Sequence, residues 1–158
     1  MSDVDLPPIE IEVPAELGSL GDLRAIVVGF ARRVGFRDQF DVEVVASELV
    51  TNAIVHAGTA PIVTLTQVGH RRMEIAVADE DPRSPGPVDP YENGTRGHGL
   101  AIVATLSRTW GVRREGGSGK TVWAEVEEQR PLRLVDGCGP GAQAARPLGP
   151  RADPLRRA

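Results

Sequence analysis

Several residue types are scarce in this 158-residue chain. There is one cysteine, Cys138, so neither an internal disulfide nor a cysteine-built zinc site can form. Lys120 is the one lysine among 18 basic residues, and the other seventeen are arginine. Aromatic residues make up 4%, which disfavours base stacking on aromatic platforms. No apolar run approaches about 18 residues, so no membrane span is expected. The opening segment MSDVDLPPIEIEVP is acidic and has no apolar core, so it does not read as a signal peptide. These absences lead to the expectation of a cytoplasmic protein. The arginine excess accompanies abundant Ala, Gly, Pro and Val and reads as a GC-rich coding bias, not as affinity for nucleic acid.

What remains is the composition of one ordinary globular domain, 41% apolar and 25% charged. Charge divides it. Residues 1–128 carry 20 acidic and 12 basic side chains, net −8, whereas residues 129–158 carry 2 acidic and 6 basic, net +4. The second stretch has nine Pro or Gly in thirty residues and no helical or strand periodicity. It reads as a mostly disordered tail, because it cannot bury enough apolar surface to offset its ordering entropy. The expected domain is therefore 1–128, and its acidity disfavours direct nucleic-acid binding.

Within the domain, Ile9–Val13 alternates apolar and acidic residues, a half-exposed strand ended by Pro14. Leu20, Leu23, Ile26, Val27, Phe30 and Ala31 fit one apolar helical stripe, with Ser19 or Asp22 as caps and Gly35 as the stop. A second helix is expected from about Asp38 to His56, with Val42, Val45, Ala46, Leu49, Ala53 and Ile54 as its inner stripe and Gly58 beyond its end. Ile62–Val68 and Met73–Ala78 form a strand pair turned by Gly69-His70-Arg71. Residues 79–96 read as a long acidic loop with Pro82, Pro85, Pro87 and Pro90, and loops of this length in compact domains are usually functional. A third helix spans about Gly99 to Thr109, followed by strands at 110–114 and 121–126. The order β-α-α-β-β-loop-α-β-β predicts an α/β (α+β) two-layer sandwich. Its sheet is mixed but mainly antiparallel and is covered on one face by three helices.

Four segments carry chemistry. In ELVTNAIVHA, Glu48, Asn52 and His56 recur at i, i+4, i+8 and share a helix face. An amide oxygen one turn from a carboxylate suits magnesium-phosphate chemistry, with the carboxylate as proton acceptor; a solvated polar face is the alternative. In VADEDP, Asp79 at a strand end can accept from an exocyclic amine, or simply shape a turn before proline. In GTRGHGL, glycines opening a helix let backbone N–H groups approach phosphates. In GKTVWAEV, Thr121 could reach a base and Lys120 a phosphate, although a turn lysine is more often solvated.

Taken in this order, the four segments resemble the GHKL (Bergerat-fold) ATPase superfamily, and within it the RsbW-type anti-sigma factor/serine-protein kinase family common in actinobacteria. The resemblance covers about residues 9–127. ELVTNAIVHA is similar to the N box, VADEDP stands at the first glycine box, GTRGHGL resembles the second, and GKTVWAEV the closing box. It implies a fold binding ATP and Mg2+ between a helical layer and a lid. Glu48 would be the general base and Asn52 the magnesium ligand. Asp79 would bind the adenine amino group, Gly97, Gly99 and Leu100 would shape the phosphate and lid region, and Thr121 would lie near the base. Arg96, His98 and Lys120 fall in the same boxes and are counted with the cofactor-binding residues. The usual Asp-x-Gly-x-Gly is here Asp79-Glu80-Asp81-Pro82-Arg83.

The resemblance also implies partners: a sigma factor sequestered by the chain and an anti-anti-sigma STAS protein phosphorylated on serine, with a homodimer through the first helix as a candidate assembly. The function expected is that of an ATP-dependent protein serine/threonine kinase in transcription regulation. Two alternatives stand beside it, a catalytically weak partner-binding module on the same fold and a stand-alone ATP hydrolase. No phospho-accepting histidine helix precedes the domain, which disfavours a complete sensor histidine kinase.

Overall fold

The alternation of small β-branched residues and the spacing of glycines lay out the elements of the fold in a computed structural model that describes residues 5–81, 98–114 and 119–128. The strands are β1 (Ile9–Glu12), β2 (Ile62–Gly69), β3 (Arg72–Asp79), β4 (Thr109–Arg113) and β5 (Lys120–Glu127), and the helices are α1 (Leu20–Val34), α2 (Phe40–Ala57) and α3 (His98–Leu106). They form one five-stranded sheet in the order β1-β2-β3-β5-β4, with every pairing antiparallel among the described residues. The expected two-layer α+β sandwich is the fold observed. Both the 82–97 segment and the 129–158 tail lie outside the described residues, as does the tail's expected disorder.

In β5 the burial alternates strictly: Lys120, Val122, Ala124 and Val126 are buried, and the residues between them are half-exposed. With Met73, Ile75 and Val77 of β3 and Val63 and Leu65 of β2, they form the sheet's side of the core. Helix α1 closes over it through Leu23, Val27, Phe30, Ala31 and Val34. Ile26, expected on this stripe, sits at its margin and is 41% exposed. Ser19 occupies the cap position of α1 without capping it. A short 3-10 turn at Leu17–Ser19 runs straight into the helix, so the Ser19 backbone is already helical and its hydroxyl makes no cap bond. Gly35 and Gly58 end α1 and α2 in the left-handed conformation, at φ 101 and 68.

Helix α2 is buried over a wider arc than its single expected stripe, including Ser47 and Val50. The cause is its central place, packed against α1, α3, β3 and β5. Its start is two residues later than expected: Gln39 holds the cap position without a side-chain cap bond, and Asp38 before it turns the chain, its Oδ1 accepting from Phe40 N at 2.9 Å. Burial, and then the nearby Asp38 charge, pushes the Asp41 carboxyl above its ordinary value.

The end of β5 ties this corner to the sheet. Glu128 Oε1 accepts from the backbone N–H groups of Arg37 at 2.6 Å and Asp38 at 2.7 Å, while Oε2 lies 3.2 Å from Arg71 Nη1. Arg71, in the β2–β3 turn at φ 53, in turn donates its N–H to Val34 O at 3.2 Å. One carboxylate thus joins the α1–α2 loop, the hairpin and the last strand. Glu128→Ala is expected to lower unfolding free energy by about 2 kcal/mol, the scale of hydrogen bonds to a charged group. Urea denaturation of the two proteins measures it, and an unchanged midpoint would contradict this role.

Candidate nucleotide-binding site

Two clusters of polar side chains lie on the helix-covered side of the sheet. The first forms where α3 begins. Glu48 and Asn52, one turn apart on α2, are half-buried. Gly99, in the first turn of α3, is packed so close to them that a Cβ built there would stand 2.6 Å from Glu48 Oε2 and 3.6–3.7 Å from the side-chain amide atoms of Asn52. Only a glycine leaves the carboxylate where it is. The helix that starts here has backbone N–H groups without intrahelical acceptors and the positive end of its dipole, a setting that favours anions. Leu100 and Val103, both buried in the core, fix α3 in this place. Leu100 therefore acts through packing: its side chain joins the core, and Gly99 lines the space beside Glu48. The third member of the helix face, His56, is exposed near the end of α2.

The second cluster lies where β3 and β5 meet. Asp79 and Lys120 are cross-strand partners, and both side chains are almost fully buried, at 2% and 5% exposure. Lys120 Nζ donates to Asp79 Oδ1 at 2.8 Å and to the backbone carbonyl of Asp81 at 3.0 Å; it stands 4.0 Å from Asp81 Oδ2. Asp81 N also donates to Asp79 Oδ1, at 2.9 Å. The lysine expected to be solvated or to face a phosphate is instead spent on Asp79. The preceding Gly119 explains how β5 can begin so near: a Cβ there would clash with the backbone carbonyl of Asp79.

Strand alternation corrects a second expectation. Asp79 continues the buried series Met73, Ile75, Val77, and Lys120 the buried series Val122, Ala124, Val126. Thr121 therefore projects from the opposite face of the sheet, the face of Trp123, and not beside Asp79. On that face Trp123 lies against Gly111, and Arg113 stacks 4.6 Å from its ring centroid while binding Glu74 through two bonds of 2.8–2.9 Å. Arg96 and Gly97 lie outside the described residues, and so does the side chain of His98, the first residue of α3. Sequence reasoning missed Asp81, which reads as an ordinary turn residue, and the pairing of Lys120. Its one available signal was the phase of the alternation.

No group of three or more His, Cys, Asp or Glu capable of caging a metal occurs among the described residues. An amide oxygen and a carboxylate beside a helix N-terminus nevertheless fit Mg2+, which is usually held by one or two protein oxygens together with substrate phosphates.

Comparison with known proteins gives the family and the fold. Residues 13–126 match the family described as histidine kinase-like ATPase domain. The chain belongs to that family, an ATP-binding class of domain. Among solved structures it is similar to the RsbU and RsbW domains of Rv1364c from Mycobacterium tuberculosis, at 22% identity and a TM-score of 0.59, covering 82% of this chain and 34% of that one. A second match, full-length ShkA in complex with AMPPNP, has 20% identity and a TM-score of 0.46, with the same coverage. The chain thus spans about a third of the length of these solved proteins. No curated protein matches it. No helix among the described residues is long and apolar enough to cross a membrane.

The two glycines differ in what they would hit, which separates their roles. Gly119→Ala meets backbone and is expected to cost about 1–3 kcal/mol. Gly99→Ala meets the tip of a flexible side chain and is expected to stay within about 0.5 kcal/mol while displacing Glu48. Parallel urea melts check both, and equal losses would refute the distinction.

Proposed function

We propose that the chain binds ATP with Mg2+ between α2 and the N-terminus of α3 and transfers the γ-phosphoryl group to a serine hydroxyl of an anti-anti-sigma STAS partner. The observation that supports it most is the meeting of Glu48, Asn52 and Gly99 at the start of α3. Partner identity rests on the RsbW-type resemblance. In the same reading, the unphosphorylated STAS protein and a sigma factor compete for the chain, in the cytoplasm.

The chemistry asked of these residues is modest, because phosphoryl transfer depends mostly on positioning and charge stabilisation. The serine Oγ forms a bond to the γ-phosphorus as the bond to the β,γ-bridging oxygen breaks and ADP departs. Glu48 accepts the serine proton. The N–H groups opening α3 face the phosphates. Asn52 would hold Mg2+ through its amide oxygen, and the metal supplies charge shielding of the phosphate oxygens. Asp79 accepts from the adenine amino group.

A second reading, a partner-binding module that uses the fold without catalysis, is favoured by one feature: the glycine-poor Asp79-Glu80-Asp81-Pro82 sequence with Lys120 already on Asp79. Titration with ATP and magnesium, followed by heat or Trp fluorescence, divides the two. Binding at micromolar ATP, weakened about tenfold or more by Asn52→Ala, supports the kinase; no binding at millimolar ATP leaves the module. Glu48→Gln is expected to lower transfer to a serine acceptor about 10²- to 10⁴-fold with nucleotide affinity nearly unchanged. Labelled-phosphate transfer measures it, and full activity in that variant would remove Glu48 as the base.

A further inference from the structure

We propose that Lys120 is a positioning residue for base recognition: it pins one oxygen of Asp79 so that the other is presented to the exocyclic amine of an aminopurine. The inference rests on the nucleotide-binding reading above and names what would make that site choose its base.

Three observations carry it. Both described donors to the Asp79 carboxylate, Lys120 Nζ at 2.8 Å and Asp81 N at 2.9 Å, converge on Oδ1. Neither uses Oδ2, so the acceptor capacity of the second oxygen is not consumed by the pair. A carboxylate offers about four lone-pair sites, and two donors on one oxygen fix the plane of the group without exhausting it. Second, the ammonium is itself anchored, because it also donates to the Asp81 carbonyl at 3.0 Å and is 5% exposed on its side chain. It cannot swing to a phosphate without abandoning two buried acceptors. Third, the sequence after Asp79 contains no glycine until Gly86. Lys120 binds the described part of this segment twice, at Asp79 and again at Asp81.

A fixed carboxylate oxygen discriminates by sign. It accepts from the 6-amino group of adenine, and it opposes the 6-oxo group of hypoxanthine, which is itself an acceptor. The consequence is a preference for ATP over ITP that depends on Lys120, although Lys120 touches neither nucleotide.

The test compares dissociation constants of ATP and ITP, each with magnesium, for the full chain and for Lys120→Met, with Asp79→Asn as the reference for lost recognition. The wild type is expected to favour ATP at least about tenfold, the scale of one hydrogen bond to a charged group. In Lys120→Met the preference is expected to fall to within about threefold of none, with ITP affinity within about threefold of wild type. Should that variant fail to fold, Lys120→Gln replaces it. Gln keeps a donor but is one atom too short to reach both acceptors, and the same collapse of preference is expected. An unchanged preference in the variant overturns the inference and leaves the nucleotide site standing. Equal loss of ATP and ITP overturns it too, since that is what a merely structural lysine would give. A wild type that binds both nucleotides equally refutes base reading by Asp79. A wild type that binds neither overturns the nucleotide reading itself.

Discussion

The burial of α2 constrains everything around it. The helix touches α1 on one side and α3 on the other, with β3 and β5 beneath. Seven of its residues are buried, so its charged and amide side chains are confined to the arc that remains. Glu48 and Asn52 occupy that arc at the point where α3 begins. Their position is set by the apolar packing of Leu49, Val50 and Ala53 next to them and of Leu100 and Val103 on α3. Among the described residues the carboxylate is positioned by this core packing, and in the proposed reading it takes the serine proton. The contact also explains why residue 99 must be small: the helices approach to a distance that no Cβ fits without moving the acid.

Where β3 meets β5 the logic is electrostatic. A buried lysine-aspartate pair is weak evidence for stability, because desolvation of both charges consumes much of their attraction. Breaking one by removing a single partner costs about 3–5 kcal/mol, since the remaining charge is left buried. Such a pair contributes geometry more than free energy. Here it is delivered by register: Asp79 faces Lys120 only because β3 and β5 pair in phase through eight successive residues, and because Gly119 lets β5 begin against the Asp79 carbonyl.

The layer architecture was legible from the sequence because each element carries its own period. The three helices and five strands are close to where alternation and glycine stops put them, and Gly35 and Gly58 end their helices as expected. What local pattern could not show is what depends on neighbours. Val50 and Ser47 are buried because α2 is covered on three sides, and Ile26 is exposed because the α1 stripe ends just short of it. The Glu128 anchor joins residues about ninety positions apart in sequence, Arg37 and Asp38 among them, and no spacing rule reaches that far. Of the site, the grouping of Glu48 and Asn52 with Gly99 was readable by motif, whereas the partner of Asp79 was not.

That last miss has a physical origin. A motif aligned by residue type selects Thr121, since a hydroxyl is the obvious group to place near a base. A strand alternates every residue, so a shift of one position exchanges the two faces of the sheet. Burial places Lys120, not Thr121, on the face of Asp79. The charge balance changes with it. Around the two clusters, Glu48, Asp79 and Asp81 contribute three carboxylates, and Lys120 is the ammonium among them, already committed to Asp79. In the proposed reading, a triphosphate entering here receives no help from that lysine. Its charge must be met by the N–H groups opening α3 and by a divalent cation, and Asn52 is the neutral oxygen donor that can hold a cation there without adding a further negative charge. In that reading, with the lysine spent on base selection, phosphate binding leans on the metal.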